Sequence, residues 1–157
     1  MSAALSIRRV RKEAADALAA LHRRCFSTPW SAASFESLLE HADTLALVAS
    51  QSDAVRTCEA FIVTRVASDE AEILTLGTAP SMRRSGLGRA LVLAASAEAH
   101  RRGAKEIFLE VAGNNAAAGA LYAGIGFSVV GRRAGYYHDD LQAIDAMIMR
   151  ARLPLAH

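Results

Sequence analysis

Arg83-Arg84-Ser85-Gly86-Leu87-Gly88-Arg89 is the stretch on which the reading of this chain turns. It lies between a predicted strand, Glu70 to Thr78, and a predicted helix from about Gly86 to Arg102. That helix carries Leu87, Leu91, Val92 and Ala95 and is stopped by Gly103. Glycines at the mouth of a helix let backbone N–H groups converge on an anion at its positive end. Arg83 adds fixed charge-assisted donors suited to a diphosphate. The stretch is not a P-loop, because the four-residue spacer and the Gly-Lys-Ser/Thr ending are missing. Nor is it a dinucleotide fingerprint, since Ala90 to Leu93 offers no third glycine. Taken alone it fits an ordinary helix start as well as a phosphate site.

Toward the C-terminus, Ile107-Phe108-Leu109-Glu110-Val111 is an apolar strand, predicted over Lys105 to Val111, interrupted by one carboxylate. Strand alternation puts Phe108 and Glu110 on the same face. A Glu in such a run must reach solvent, find a partner or occupy a functional cleft. Gly113-Asn114-Asn115 can bend the chain, and Asn115 can cap a short helix to about Ala123. Tyr122 on that helix either hydrogen-bonds in the core or faces the end of the Glu110 strand. Further strands are predicted at Gly126 to Val130 and Gln142 to Arg150, around a polar loop at Asp139 and Asp140.

Toward the N-terminus, the pattern predicts a strand at Leu5 to Arg11 and a helix at Lys12 to Cys25. A second helix, capped by Ser31, runs to about His41 with Phe35, Leu38 and Leu39 inward. Pro29 explains the break between the helices. Strands at Thr44 to Ser50, Thr57 to Ala67 and Glu70 to Thr78 read as an antiparallel meander. The order is that of an α+β sheet covered by helices.

Composition bounds what the chain can do. With 157 residues, 52% hydrophobic and 22% charged, it is too apolar for disorder and too interrupted by charge for a membrane span. One domain over residues 1–157 is expected. The basic side chains are 16 Arg against 2 Lys, often paired, but form no continuous tract. Direct nucleic-acid binding is therefore not expected. Two cysteines, Cys25 and Cys58, are too few for a secreted disulfide framework, and no signal peptide precedes Val10, so a cytoplasmic location is expected. His22 and His41 read as helix-surface residues and His138 as a loop residue, with no metal site among them. Cys25 reads as an inert apolar residue rather than a nucleophile.

The joint pattern resembles the GNAT superfamily, most closely its bacterial RimI branch of ribosomal-protein alanine N-acetyltransferases. Arg83 to Gly88 matches the motif (Arg/Gln)-x-x-Gly-x-(Gly/Ala), continued by Arg89-Ala90-Leu91. Leu109-Glu110-Val111, Asn115, Ala118, Leu121-Tyr122 and Gly126-Phe127 follow the branch's Leu-Glu-Val to Gly-Phe block at matching spacing. Phe26, Pro29-Trp30-Ser31, Phe35, Arg132-Arg133, Tyr136-Tyr137 and Asp145 to Met149 extend the likeness over nearly the whole chain. Two departures stand out: Ala112-Gly113-Asn114-Asn115 where Arg-Ala-Ser-Asn is usual, and Leu76-Gly77-Thr78 where Ile-Ala-Val is commoner.

The resemblance implies a mixed sheet of six or seven strands, about four helices, and a central parallel pair that splays apart to admit acetyl-CoA, with CoA as product. It implies that Arg83, Arg84, Ser85, Gly86, Leu87, Gly88 and Arg89 cradle the pyrophosphate. Leu76, Gly77 and Thr78 hold the pantetheine arm, and Asn115 contacts the cofactor. Glu110 becomes the general base and Tyr122 the general acid. The acceptor it implies is the N-terminal alanine of ribosomal protein S18, bordered by Trp30 and Tyr137, with Glu36, Glu40, Asp139 and Asp140 near a basic peptide. A monomer without metal or membrane partner is expected. Two alternatives stay open: a small-molecule amine acetyltransferase on the same fold, and a non-catalytic acetyl-CoA-responsive module.

Overall fold

Short apolar stretches punctuated by Gly, Asp and Ser give strands that must share their hydrogen bonds. In the computed structural model, which describes residues 5–51, 58–139 and 142–156 (backbone only at 137–139 and 142), they do so in one sheet. Strands β1 (Ser6–Val10), β2 (Thr44–Ser50), β3 (Ala60–Ala67) and β4 (Glu70–Thr78) pair antiparallel in chain order. Strand β5 (Glu106–Ala112) runs parallel to β4. Then β7 (Gln142–Arg152) and β6 (Ser128–Asp139) complete the order β1-β2-β3-β4-β5-β7-β6. The expected start of β3 at Thr57 lies outside the described residues, and the strand itself begins at Ala60.

Among the described residues four α-helices cover the sheet: α1 (Ala15–Cys25, after a 3-10 turn at Lys12–Ala14), α2 (Ala32–Leu39), α3 (Leu87–Arg101) and α4 (Ala116–Ile125). None is long and apolar enough to cross a membrane. The Ser31 hydroxyl accepts from Ser34 N–H and caps α2, which buries Phe35 fully while Leu38 and Leu39 stay half-buried. Leu87, Leu91 and Val92 of α3 are almost wholly buried against one face of the sheet. Each contributes about 1.5–3 kcal/mol. Helices α1 and α2 cover the other face, over Val48, Phe61 and Val63.

The β4–β5 ladder is short: Glu70, Ala71 and Glu72 pair with Glu106, Ile107 and Phe108, and pairing stops there. Just beyond, the β3–β4 register steps from Thr64↔Ile73 to Val63↔Thr75, leaving Leu74 as an extra residue. This bulge bends β4 and reverses its alternation. Ala71 and Ile73 face α3, whereas Thr75 and Gly77 face α1 beside His22 and Phe61. The strands therefore part exactly where β5 presents Leu109, Glu110 and Val111, as expected of a splayed parallel pair.

One expectation is corrected on β6. The strand continues to Asp139, far past Val130, so Tyr136 and Tyr137 stand in a strand rather than a loop. It absorbs an extra residue at Val130 and two more between Arg133 and Tyr137. Gly135, at φ 63, donates its N–H to Asp145 Oδ1 at 2.9 Å within the second irregularity.

Candidate active site

The glycine turn owes its shape to two left-handed residues, Arg84 at φ 65 and Gly86 at φ 88. Ser85 Oγ–H donates to Met82 O, and Gln51 Nε2 donates to Ser85 O at 3.3 Å, so the turn is braced from behind. Helix α3 starts at Gly86 without a side-chain cap. Its first-turn N–H groups are thus available to an anion. A cavity of about 550 Å³ opens there, with Arg83, Arg84, Gly86, Gly88 and Arg89 at one end. Leu76, Gly77 and Thr78 of β4 form one wall, and Asn115 and Tyr122 the opposite one. Two of the expected cradle residues differ in their side chains. Leu87 is buried in the core and Ser85 is turned to Met82, so neither side chain lines the cavity.

Gly77 is where packing dictates residue type. A Cβ there would lie 2.7 Å from Phe61 Cε1, 2.8 Å from Phe61 Cζ and 3.2 Å from Cys25 Sγ. Cys25 is half-buried on the cavity wall, its thiol donating to Thr78 O at 3.4 Å and pushed up in pKa by burial. Asn115 caps α4 by accepting from Ala118 N–H at 3.2 Å while bordering the cavity, so its capping and lining roles coexist.

Glu110 and Tyr122 border one cavity in the splay. This second cavity, about 340 Å³, is bounded by Leu74 and Thr75 of β4, by Leu109, Glu110 and Val111 of β5, and by Tyr122. Tyr122 borders both this space and the one over the glycine turn. Its ring lies 5.8 Å from that of Phe127, and burial pushes its phenol up to about 12. It stays protonated at neutral pH. Glu110 is half-buried, with Arg133 Nη2 at 3.1 Å from Oε1. It has both a partner and a cleft.

Glu110 also opens onto two further cavities away from the glycine turn. One, about 360 Å³, is shared with His22, Trp30, Glu72, Thr75 and Tyr136. The other, about 340 Å³, carries the Arg65–Glu72 ion pair at 3.6 Å. Trp30 therefore borders a cavity that also holds Glu110. Tyr137 pairs by backbone with Ile144, but its side chain lies outside the described ones, as does Asp139's, and Asp140 is outside altogether. Tyr136 borders the space instead. Glu36 on α2 and Glu40 at its C-cap are exposed, Glu40 at 4.0 Å from Lys12, and neither lines these cavities, whereas Glu72 lines both beside Glu110.

His22 corrects the sequence reading outright. It is 2% exposed, not on the surface. Its Nδ1 accepts from Trp30 N–H at 3.1 Å and its Nε2 lies 3.2 Å from Thr75 Oγ1. The signal was present in the helical spacing Ala15, Leu18, His22, Cys25, whose residue type masked it. Among the described residues, no three His, Cys, Asp or Glu side chains gather as a metal site.

Over residues 15–127 the sequence matches the Acetyltransferase (GNAT) family. The chain belongs to that family. It is an acetyl-CoA-dependent N-acetyltransferase by family and by fold. It is 36% identical over 139 residues to the [ribosomal protein bS18]-alanine N-acetyltransferase of Escherichia coli K12, covering 87% of this chain and 91% of that one. The crystal structure of the ribosomal-protein-S18-alanine N-acetyltransferase from Escherichia coli superposes with a TM-score of 0.88 at 30% identity, covering 98% and 97% of the two chains. Arabidopsis thaliana NAA60 in complex with acetyl-CoA shares the fold, with a TM-score of 0.83 at 18% identity over 96% and 99%.

Proposed function

We propose that this acetyltransferase modifies the α-amine at a protein N-terminus, and that its acceptor is the N-terminal alanine of ribosomal protein S18. The observation that carries the reading is the continuity of the cavities: Tyr122 borders the space over the glycine turn and the space holding Glu110, and Glu110 opens onto two more beyond. A peptide needs such an open approach, whereas a small amine is served by a closed pocket. The likeness to the Escherichia coli S18-alanine enzyme over most of both chains supports the choice of acceptor.

Acetyl-CoA supplies the acetyl thioester, its diphosphate over the N–H groups of the Arg83–Arg89 turn and its arm along Leu76 to Thr78. The acceptor must first become a neutral amine. An α-amine, with a reference pKa near 7.7–8.0 against about 10.4 for lysine, reaches that state far more readily. Glu110 takes the proton, directly or through water. Tyr122 donates to the departing sulfur. A phenol near 12 beside a thiol of ordinary pKa about 8.5 acts by hydrogen-bonding the thiolate more than by surrendering its proton. A monomer working in the cytoplasm, where ribosomal proteins are made, belongs to the same proposal.

The test is a competition assay with acetyl-CoA and four acceptors: peptides beginning as S18 does, the same peptides with blocked amines, internal-lysine peptides, and polyamines. Mass spectrometry should place the acetyl group on the free α-amine of the alanine-starting peptide. Preference for polyamines, or indifference to blocking, overturns the S18 reading.

A further inference from the structure

We infer that His22, in its neutral form, is a positioning residue that holds the acceptor-side wall of the cleft, and that its protonation releases this wall and weakens acceptor recognition. The inference rests on the proposed acceptor path, since it concerns the cavity that His22, Phe26, Thr28 and Trp30 share with Glu110.

The two hydrogen bonds determine the tautomer. A backbone N–H can only donate, so His22 Nδ1 must be unprotonated to accept from Trp30 N–H at 3.1 Å. The ring proton is then on Nε2, and Thr75 Oγ1 accepts it at 3.2 Å. One imidazole thereby ties the segment after α1 to the first residue beyond the Leu74 bulge. The ring also stacks on Trp30, with centroids 5.1 Å apart and planes 23° from parallel, and touches Phe26 at 4.3 Å. Phe35 at 5.4 Å and Phe61 at 5.7 Å enclose it. A second ring proton would set donor against donor at Trp30 N and break the bond to the wall.

The surroundings decide which form prevails. On α1 the neighbouring Arg23 and Arg24 are exposed. Helix α2 and strand β3 contribute Phe35 and Phe61, and the 26–30 segment carries no charge. Across the cavity stand Glu72 of β4, Glu110 of β5 and Tyr136 of β6. The carboxylates are engaged by Arg65 at 3.6 Å and Arg133 at 3.1 Å. Burial accordingly holds the imidazole below its ordinary pKa. The wall is therefore held at neutral pH and is lost only as the pH falls below the ordinary imidazole range.

The experiment compares the whole enzyme with His22→Asn and His22→Phe between pH 8 and 5. Asn offers an amide oxygen near the place of Nδ1 and does not titrate, whereas Phe accepts nothing. Trp30 is the only tryptophan, so its fluorescence reports the contact without any acceptor. We expect a Trp30 emission change in the wild type with a midpoint below about 6.5, absent from His22→Asn. With the S18-type peptide, the ratio of wild-type to His22→Asn KM should rise roughly fivefold to tenfold on acidification. The ratio cancels titration of the peptide amine. His22→Phe should show the raised KM at every pH, and acetyl-CoA affinity by calorimetry should be the same in all three. Parallel pH profiles in the wild type and His22→Asn, or equal loss of acetyl-CoA affinity, overturn the inference. A Trp30 titration in an enzyme that ignores the peptide overturns the acceptor reading instead.

Discussion

Replacing Gly77 with alanine should destabilise the protein although it adds one methyl group to a strand. The new Cβ would meet Phe61 at 2.7 and 2.8 Å, well inside contact distance. A flexible side chain would swing clear, but Phe61 is fully buried, with the rings of His22 and Phe35 centred 5.7 and 6.5 Å away. Overpacking of this kind costs about 1–3 kcal/mol. The restricted unfolded chain returns about 0.4–1 kcal/mol. A net loss of about 1–2 kcal/mol corresponds to a Tm lower by roughly 2–8 °C for a chain of this length. Urea and thermal unfolding measure it, and the decisive arm is the same substitution in a Phe61→Leu background. There the alanine should cost less, with a coupling of about 0.5 kcal/mol or more. An equal cost in both backgrounds, or stabilisation by Gly77→Ala, refutes the packing argument.

Glu110→Gln and Tyr122→Phe should each lower kcat, by roughly tenfold to ten-thousandfold, while leaving acetyl-CoA affinity nearly unchanged. Single-turnover rates at saturating acetyl-CoA, beside calorimetry, check this, and unchanged chemistry removes either residue from the proton path. Gly88→Val should weaken acetyl-CoA binding, because its branches extend from a Cβ already 3.7 Å from Leu121 and Thr78 toward the cavity; loss of ligand-induced thermal stabilisation reads it out. His22 is depressed in the folded state, so the unfolded chain takes up its proton first. The stability it provides is present above about pH 6.5 and is lost as pH falls toward its folded pKa, with a slope of at most about 1.4 kcal/mol per pH unit. His22→Asn should flatten that limb of the urea midpoint against pH.

Strands bounded by strong turn residues were legible: Thr44–Ser50 and Glu70–Thr78 coincide with their expected limits. So were the caps at Ser31 and Asn115, whose side chains accept the bonds their residue types favour. The Leu74 bulge was not, because Ile73-Leu74-Thr75-Leu76 contains no glycine and the extra residue exists only relative to β3. The end of β6 was hidden for a related reason. Gly131 and Gly135 look like turn residues until β7 supplies a partner that tolerates the irregularities. Around the site, Glu110 and Tyr122 were readable as an apolar strand with one acid and a helix with one phenol. Their joint cavity and the Arg133 ion pair depend on tertiary approach. Burial of His22 lay in the helical phase, but its polar ring needed Trp30 N–H and Thr75 to be satisfied there.

The bulge in β4 also bears on how this fold changes over evolution. Past Glu72 the strand has no β5 partner, so its peptide groups on that edge are open to the cleft. Peptide groups are the same in every sequence. A ligand gripped by them leaves Leu76, Gly77 and Thr78 answerable to the helices and rings behind, and Gly77 answers to Phe61 and Cys25. Substitutions along that edge can therefore accumulate as matched pairs with the core while the grip on the ligand stays constant, and descendants can drift in stability and acceptor preference without first losing the chemistry.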